Sequence, residues 1–151
     1  MAQSVSETTD IAARLTRVYA PEEARRLNPL TLAYIGDAVY SDYIRRYLIA
    51  RGLQNVNHLT RLAARYVRAS AQAAAIRQLL PMLTEPEQDL VRRGRNTKSI
   101  PPKHADKMDY RYATGLEALF GYLNLTGDTA RERELMGRAI RATEAVWKKP
   151  S

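Results

Sequence analysis

The spacing of apolar residues is the feature that most constrains the fold. No stretch of the 151 residues alternates apolar and polar side chains with the period of two that is typical of a half-buried strand. Alanine, leucine, arginine and glutamate are abundant instead, and all of them favour helices. Glycines and prolines divide the chain into segments of helical length. The sequence therefore predicts an all-α fold.

Capping signals predict where the helices begin. Asn28 has the character of an N-cap, with Pro29 at the first helical position. Thr84 and Glu87 have the spacing of a capping box. The five predicted main helices run from Asn28 to about Ala50, Asn57 to Leu80, Thr84 to about Gly94, Asp106 to Leu125 and Asp128 to about Trp147. A short helix is also expected around residues 11–19.

Length and composition indicate a single globular domain. A chain of 151 residues with 45% hydrophobic and 26% charged residues can bury a core and lacks the composition of a disordered protein. It has no apolar run near the roughly 20 residues of a membrane span and no secretory signal at its start. We therefore expect a cytoplasmic protein without a membrane partner, with an N-terminal segment, 1–27, and one domain, 28–147.

The positive charge is concentrated in the middle of the sequence. The net charge is +8, and residues 57–111 supply six of these charges, with eleven basic and five acidic side chains. Gly94 and the pair Pro101 and Pro102 predict irregular backbone there. The densest part of this charge, the basic loop within residues 91–107, is either a solvated surface or a contact for the phosphates of an acidic polymer. The candidate residues for that contact are Arg92, Arg93, Arg95, Asn96, Lys98, Lys103 and Arg111.

The residue types present exclude several kinds of catalytic site. The chain has no cysteine and only two histidines, His58 and His104, so a cysteine nucleophile and a histidine-rich zinc site are excluded. None of the seven glycines has the spacing of a nucleotide-binding loop, and no nucleotide cofactor is expected. Among the catalytic groups considered, only carboxylates remain as candidates.

Two carboxylates each stand alone in an apolar helical segment. Asp37 is the only charge in LAYIGDAVY, residues 32–40, and Glu117 is the only charge in ATGLEALFGYL, residues 113–123. A buried carboxylate is costly unless it is protonated, paired or bound to a cation. Small residues lie three or four positions from each acid, on the same helix face. If these two small-residue stripes pack together, Asp37 and Glu117 converge.

The residues alone leave two interpretations of these acids. In the simpler one, each acid pairs with one of the many arginines. In the other, the two acids share a divalent cation, because converging anions repel and one of them must otherwise stay protonated. Mg²⁺ suits such a site, since it is often held by one or two protein carboxylates together with water and phosphate oxygens.

The two acidic motifs resemble the signature helices of the ribonuclease III family. LAYIGDAVY is similar to that family's LEFLGDA form, TGLEALFGYL to its DxxEALIGA form, and RRGRNTKS to its GxxxKS loop. The three motifs occur in the family's order within about residues 27–140. The small size is similar to that of the minimal branch, Mini-ribonuclease III, which consists of the catalytic domain and has no double-stranded-RNA-binding domain.

The resemblance implies a homodimeric, Mg²⁺-dependent endoribonuclease that hydrolyses double-stranded RNA and leaves 5′ phosphates. By motif position, Asp37 and Glu117 take the places of catalytic, metal-binding acids. Ala33 and Thr114 stand where larger members carry a further Glu and Asp, which implies the reduced acid set of the minimal branch. The substrate implied by that branch is the precursor of large-subunit (23S) ribosomal RNA.

Two questions stay open at the level of sequence. Tyr34, Tyr40 and Tyr43 belong either to the dimer contact around the first motif helix or to the core. The reduced acid set also leaves an alternative function, a non-catalytic protein that binds double-stranded RNA or the ribosome and keeps a degenerate form of the fold.

Overall fold

All regular structure between residues 2 and 148 is helical in the computed structural model, which confirms the predicted all-α class. The structure describes this range, with side chains from residue 4 onward; Met1, which begins the predicted N-terminal segment, lies outside it. The helices are α1 (Ala2–Leu15), α2 (Pro21–Arg25), α3 (Pro29–Ala50), α4 (Val56–Val67), α5 (Ala69–Leu79), α6 (Glu85–Arg95), α7 (Lys107–Leu125) and α8 (Thr129–Lys148), and a 3₁₀ turn, Leu80–Met82, precedes α6. None of the helices in this range could cross a membrane.

Side-chain caps are present at three helix starts, and two of these caps were predicted, those at Asn28 and Thr84. The Asn28 side chain accepts a hydrogen bond from the backbone N–H of Leu30 at 2.8 Å. Thr84 and Glu87 form the full capping box, in which each side chain accepts from the other residue's backbone N–H. Asp106 caps α7 by accepting from the N–H of Asp109 at 2.9 Å. Local side-chain chemistry therefore sets these three boundaries.

The prediction of one helix from Asn57 to Leu80 is wrong. The structure divides this segment into α4 and α5 at Arg68, whose ψ of 152° is extended rather than helical. Tertiary packing explains the break, because α4 packs on α3 whereas α5 packs on α7 and α8. One straight helix could not reach both surfaces. Tyr66 and Val67, modest helix formers, directly precede the break.

The N-terminal segment also differs from the prediction. The short helix expected around residues 11–19 is instead the longer α1, which ends at Leu15. Tyr19 lies beyond that helix, and its backbone N–H donates to the Leu125 carbonyl at the end of α7, at 2.8 Å. Ala24 of α2 is fully buried. Residues from Tyr19 onward are therefore packed against the helical domain, whereas the side chains of α1 from residue 4 are exposed.

Helix α7 runs through the centre of the molecule. Nine of its nineteen residues are buried, and it packs against α3, α5 and α6. Its apolar residues therefore contact neighbours on several sides, which is the usual situation of a core helix. Glu117 is placed among these core residues.

The three tyrosines of the first motif helix have different environments. Tyr40 is fully buried and packs edge-to-face against Phe120, with ring centroids 5.4 Å apart, so it belongs to the core. Tyr43 is half-buried, and its hydroxyl donates to Glu132. Tyr34 is 82% exposed, and it alone of the three is fully accessible to another protein.

Candidate active site

Helices α3 and α7 cross with their backbones in direct contact. A Cβ atom added to Gly36 would lie 1.7 Å from the Glu117 carbonyl oxygen, and one added to Gly121 would lie 1.9 Å from the Leu32 carbonyl oxygen. Only glycine permits this approach at either position. The two small-residue stripes therefore face each other, as the sequence predicted.

This crossing brings the side chains of Asp37 and Glu117 within hydrogen-bonding distance of each other. Asp37 is exposed and Glu117 is partly buried. Burial, together with the hydrogen bond and negative charge of Asp37, raises the pKa of Glu117 to about 9. At neutral pH the Glu117 carboxyl group therefore keeps its proton.

Pairing of these acids with arginine, the simpler interpretation of the sequence, is not observed. The ion pairs among residues 4–148 involve other acids. Asp37 and Glu117 instead contact each other. The structure therefore shows the converging pair of acids for which the sequence suggested a shared cation.

The chemistry of the pair fits a divalent cation. A cation placed against both carboxylates would offset the burial and the repulsion by Asp37 that together keep Glu117 protonated. Within the described residues, no group of three or more His, Cys, Asp or Glu side chains could enclose a metal. Water and substrate oxygens would therefore complete the coordination shell, as they commonly do for Mg²⁺.

Ala33 and Thr114, the two positions at which the resemblance implied a reduced acid set, are both buried. The Thr114 hydroxyl donates to the Tyr110 carbonyl within α7, at 2.9 Å. The hydroxyl hydrogen of Thr114 is therefore already engaged in a hydrogen bond within α7. The carboxylates at this crossing are Asp37 and Glu117.

Gln72 of α5 is a third polar residue at the site, and sequence reasoning missed it. It is 1% exposed, and its side-chain amide lies close enough to the Glu117 carboxyl group to oppose the rise in that group's pKa. This direction is the one that a donated N–H produces. The sequence did contain a signal of the kind that marked the two acids, a single polar residue in an apolar helical segment. Gln72 is the only polar residue in AQAAAI, residues 71–76.

Tyr40 contributes a buried hydroxyl on the inner side of the site. Its oxygen has no hydrogen-bond partner in the part of the chain that the structure describes. Burial raises the pKa of Tyr40, the nearby Thr143 hydroxyl lowers it, and the charge of Glu117 raises it further. Tyr40 therefore stays neutral and borders Glu117 from the core side.

The basic segment begins inside a helix, because α6 continues past its predicted end near Gly94 to Arg95. Arg92, Arg93 and Arg95 lie in the last turn of α6, and Asn96 follows as its C-cap. Gly94 does not break the helix; a Cβ atom there would lie 2.9 Å from Gly115 Cα. The reason is packing, because Gly94 permits α6 to approach α7 closely. Irregular backbone begins only after Asn96.

The predicted RNA-binding residues differ in how free their side chains are. Arg92 pairs with Asp89, and Arg93 donates to the Arg25 carbonyl at 2.8 Å, so both have a structural contact. The Arg95 guanidinium lies 5.6 Å from the Tyr112 ring centroid. The remaining candidates, Asn96, Lys98, Lys103 and Arg111, are exposed.

Arg77 of α5 belongs to the same basic surface and was missed in the sequence. Its guanidinium lies 4.6 Å from the centroid of Tyr112 and 3.7 Å from Asp109. Arg77 and Arg95 are therefore held against one tyrosine from two different helices. No local sequence pattern indicates this, because the three residues meet only in the folded chain.

Comparison with known proteins agrees with this fold and pair of motifs. Residues 30–128 match the ribonuclease III domain, and the match includes both acids and the basic segment. The chain therefore belongs to the ribonuclease III family, whose members are generally metal-dependent and act on double-stranded RNA. It is an endoribonuclease of that family.

Within the family, the chain is similar to proteins named Mini-ribonuclease 3. It is 54% identical to that of Symbiobacterium thermophilum, over 75% of this chain and 88% of the relative. It is 45% identical to that of a Thermoanaerobacter species, over 85% of this chain and 92% of the relative. A crystal structure of a Fusobacterium nucleatum protein matches with a TM-score of 0.70 at 27% identity, over 78% of this chain and 94% of that one. These similarities confirm the predicted family and its minimal branch.

Proposed function

We propose that this endoribonuclease hydrolyses double-stranded RNA with Mg²⁺ held by Asp37 and Glu117. The contact between these two carboxylates carries the proposal, because an exposed acid beside a partly buried acid with a raised pKa has an evident use as a cation site. The rigid crossing at Gly36 and Gly121 supports it further. This crossing fixes both acids relative to each other before any substrate arrives.

The residues of the pair have distinct tasks in this proposal. When bound, Mg²⁺ would supply Lewis acidity beside the RNA phosphate. Glu117 and Asp37 would hold the ion as carboxylates, Glu117 from the helix crossing and Asp37 from the solvent side. Hydrolysis adds a water oxygen to phosphorus and breaks the bond to the 3′ oxygen, which leaves a 5′ phosphate and a 3′ hydroxyl.

The basic surface near the end of α6 is proposed to hold the RNA backbone. Duplex RNA is recognised largely by shape and by its phosphates and 2′ hydroxyls. Arg95 and the exposed Lys98, Lys103 and Arg111 would contact phosphates, with Arg92, Arg93 and Asn96 beside them. Arg77 joins this group because it shares Tyr112 with Arg95. Replacing Arg95 or Lys98 by Gln should weaken RNA binding and reduce its salt dependence.

Homodimer formation and the cellular substrate complete the proposal. The exposed Tyr34 lies one turn before Asp37 on α3, so a dimer formed through this face would place two sites close together. Light scattering of the purified protein tests the dimer.

The proposal that the protein processes precursor large-subunit (23S) ribosomal RNA in the cytoplasm rests on the resemblance to the minimal branch. Incubation with transcripts of that precursor tests it.

Cleavage of a long RNA duplex, with Mg²⁺ or with a chelator, tests the proposed chemistry. The wild-type protein should cleave only with Mg²⁺, and Glu117→Gln should bind the duplex without cutting it. Asp37→Asn should behave like Glu117→Gln. Asp42→Asn, on the same helix, is the matched control, because Asp42 is exposed and pairs with Arg46; it should cleave like wild type.

Two outcomes would overturn the proposal. Cleavage by pure Glu117→Gln at the wild-type rate would remove Glu117 from the reaction. RNA binding by the wild type without cleavage in any Mg²⁺ concentration would instead favour the non-catalytic alternative.

A further inference from the structure

Gln72 lies where a polar side chain needs a specific reason. It belongs to α5, is 1% exposed, and has the buried Ala71 and Ala73 as neighbours in the chain. An amide removed from water is costly unless its hydrogen-bonding groups are satisfied. An apolar side chain of similar volume would fill the same space without that cost. The contact that Gln72 makes must therefore account for its presence.

The partner of Gln72 is the Glu117 carboxyl group. Helix α5 packs along α7, and the buried amide of Gln72 lies beside Glu117 on that side while Asp37 contacts the same group from α3. Glu117 is thus held between two helices. A glutamate has three rotatable side-chain bonds, and a carboxyl group with partners on two sides loses most of that freedom.

We propose that Gln72 is a positioning residue, whose amide N–H orients the Glu117 carboxylate so that an oxygen faces Asp37 and the cation between them. This inference rests on the proposed function of the two acids. Groups that orient metal ligands in this way contribute about 10- to 100-fold to metal affinity or activity. Gln72 does not contact the RNA in this role, and its effect passes through Glu117.

Cation affinity measured without RNA tests the inference. Mn²⁺ binding, followed by the loss of the free-ion signal in electron paramagnetic resonance, should weaken about 10- to 100-fold in Gln72→Met. Methionine keeps the volume and removes the hydrogen bond. Gln78→Met is the matched control, since Gln78 lies on the same helix and is exposed; it should bind Mn²⁺ like wild type.

Cleavage assays separate orientation from general damage to the fold. In Gln72→Met the Mg²⁺ concentration for half-maximal cleavage should rise by the same factor, while saturating Mg²⁺ restores much of the rate. Gln72→Leu, a second apolar replacement, should show the same change. Circular dichroism checks that each variant is folded, and the comparison uses the variant that retains wild-type helicity.

The results distinguish this inference from the proposed function. If Glu117→Gln loses Mn²⁺ binding and a folded Gln72 variant binds like wild type, the role of Gln72 is refuted and the acid pair stands. If Glu117→Gln binds Mn²⁺ like wild type, the acid pair is refuted, and the role of Gln72 with it.

Discussion

Replacing Glu117 with glutamine is expected to stabilise the cation-free protein. The folded protein holds the pKa of Glu117 at about 9, against a usual value of 4.5. The folded state thus resists ionisation of a group that ionises readily in the unfolded chain. Glutamine has nearly the same shape and no charge. Its amide can donate to Asp37 and its oxygen can accept from Gln72, so both contacts of Glu117 survive.

The magnitude follows from the difference between the two pKa values. Stability from a group with a raised folded-state pKa is fully present below 4.5 and is lost progressively as the pH rises to about 9. Each pH unit in this window costs about 1.4 kcal/mol. At pH 7 the wild type has therefore lost about 3 kcal/mol that the glutamine variant keeps.

Urea unfolding followed by circular dichroism, with a chelator present, measures this difference. The free energies of unfolding of wild type and Glu117→Gln are compared from pH 5 to pH 8.5, so that the other titrating groups cancel. The gap should be small at pH 5 and should widen steadily in favour of the variant. Glu7→Gln is the control, because Glu7 is an exposed residue of α1 and should follow the wild-type curve.

A gap that stays constant with pH would refute the reasoning, since it would mean that Glu117 ionises alike in the folded and unfolded states. A variant less stable than wild type at every pH would refute it too. Added Mg²⁺ should stabilise the wild type and leave the variant unchanged, because only the wild type keeps both carboxylates.

The other predictions concern the helix crossing and the buried tyrosine. Gly121→Ala should lower the free energy of unfolding by about 1–3 kcal/mol or more and abolish cleavage, because its Cβ would meet the Leu32 carbonyl. Gly137→Ala is its control, since nothing among the described residues lies within 4 Å of that added Cβ, and it should raise stability by about 0.5–1 kcal/mol. Tyr40→Phe removes a hydroxyl without a partner in the described part of the chain and should raise stability by about 1 kcal/mol. Urea unfolding checks all three, and a loss of stability in Tyr40→Phe would show that its hydroxyl has a favourable partner.

The parts of this molecule that could be predicted from sequence are those decided within a few residues of the chain. The helix starts at Asn28 and Thr84 could be predicted because a cap is a local hydrogen bond. Asp37 and Glu117 could be related because each interrupts an apolar helix and lies on a stripe of small residues. Stripes of small residues generally let two helix backbones pack closely, so the crossing of the two motif helices could be predicted from these stripes.

The parts that could not be predicted depend on which helices meet. Arg68 breaks a helix because α4 and α5 pack on different partners, and that choice leaves no local signal. Gln72 stands out as the only polar residue of an apolar run, but the sequence does not show its partner, and Arg77 has no local signal; both meet Glu117 and Tyr112 only when α5 packs against α7. The helix was expected to end near Gly94 because glycine suggests a break, whereas in the structure Gly94 permits close packing on Gly115.

Calorimetric titration of the RNA-free protein with Mn²⁺ at pH 7, in two buffers of different ionisation enthalpy, tests most directly whether Asp37 and Glu117 share a cation. The account predicts one ion per chain and the release of about one proton for each ion bound, because Glu117 must give up its proton to become a ligand. Binding and proton release should both disappear in Glu117→Gln. Binding without proton release, or binding that Glu117→Gln retains, would contradict it.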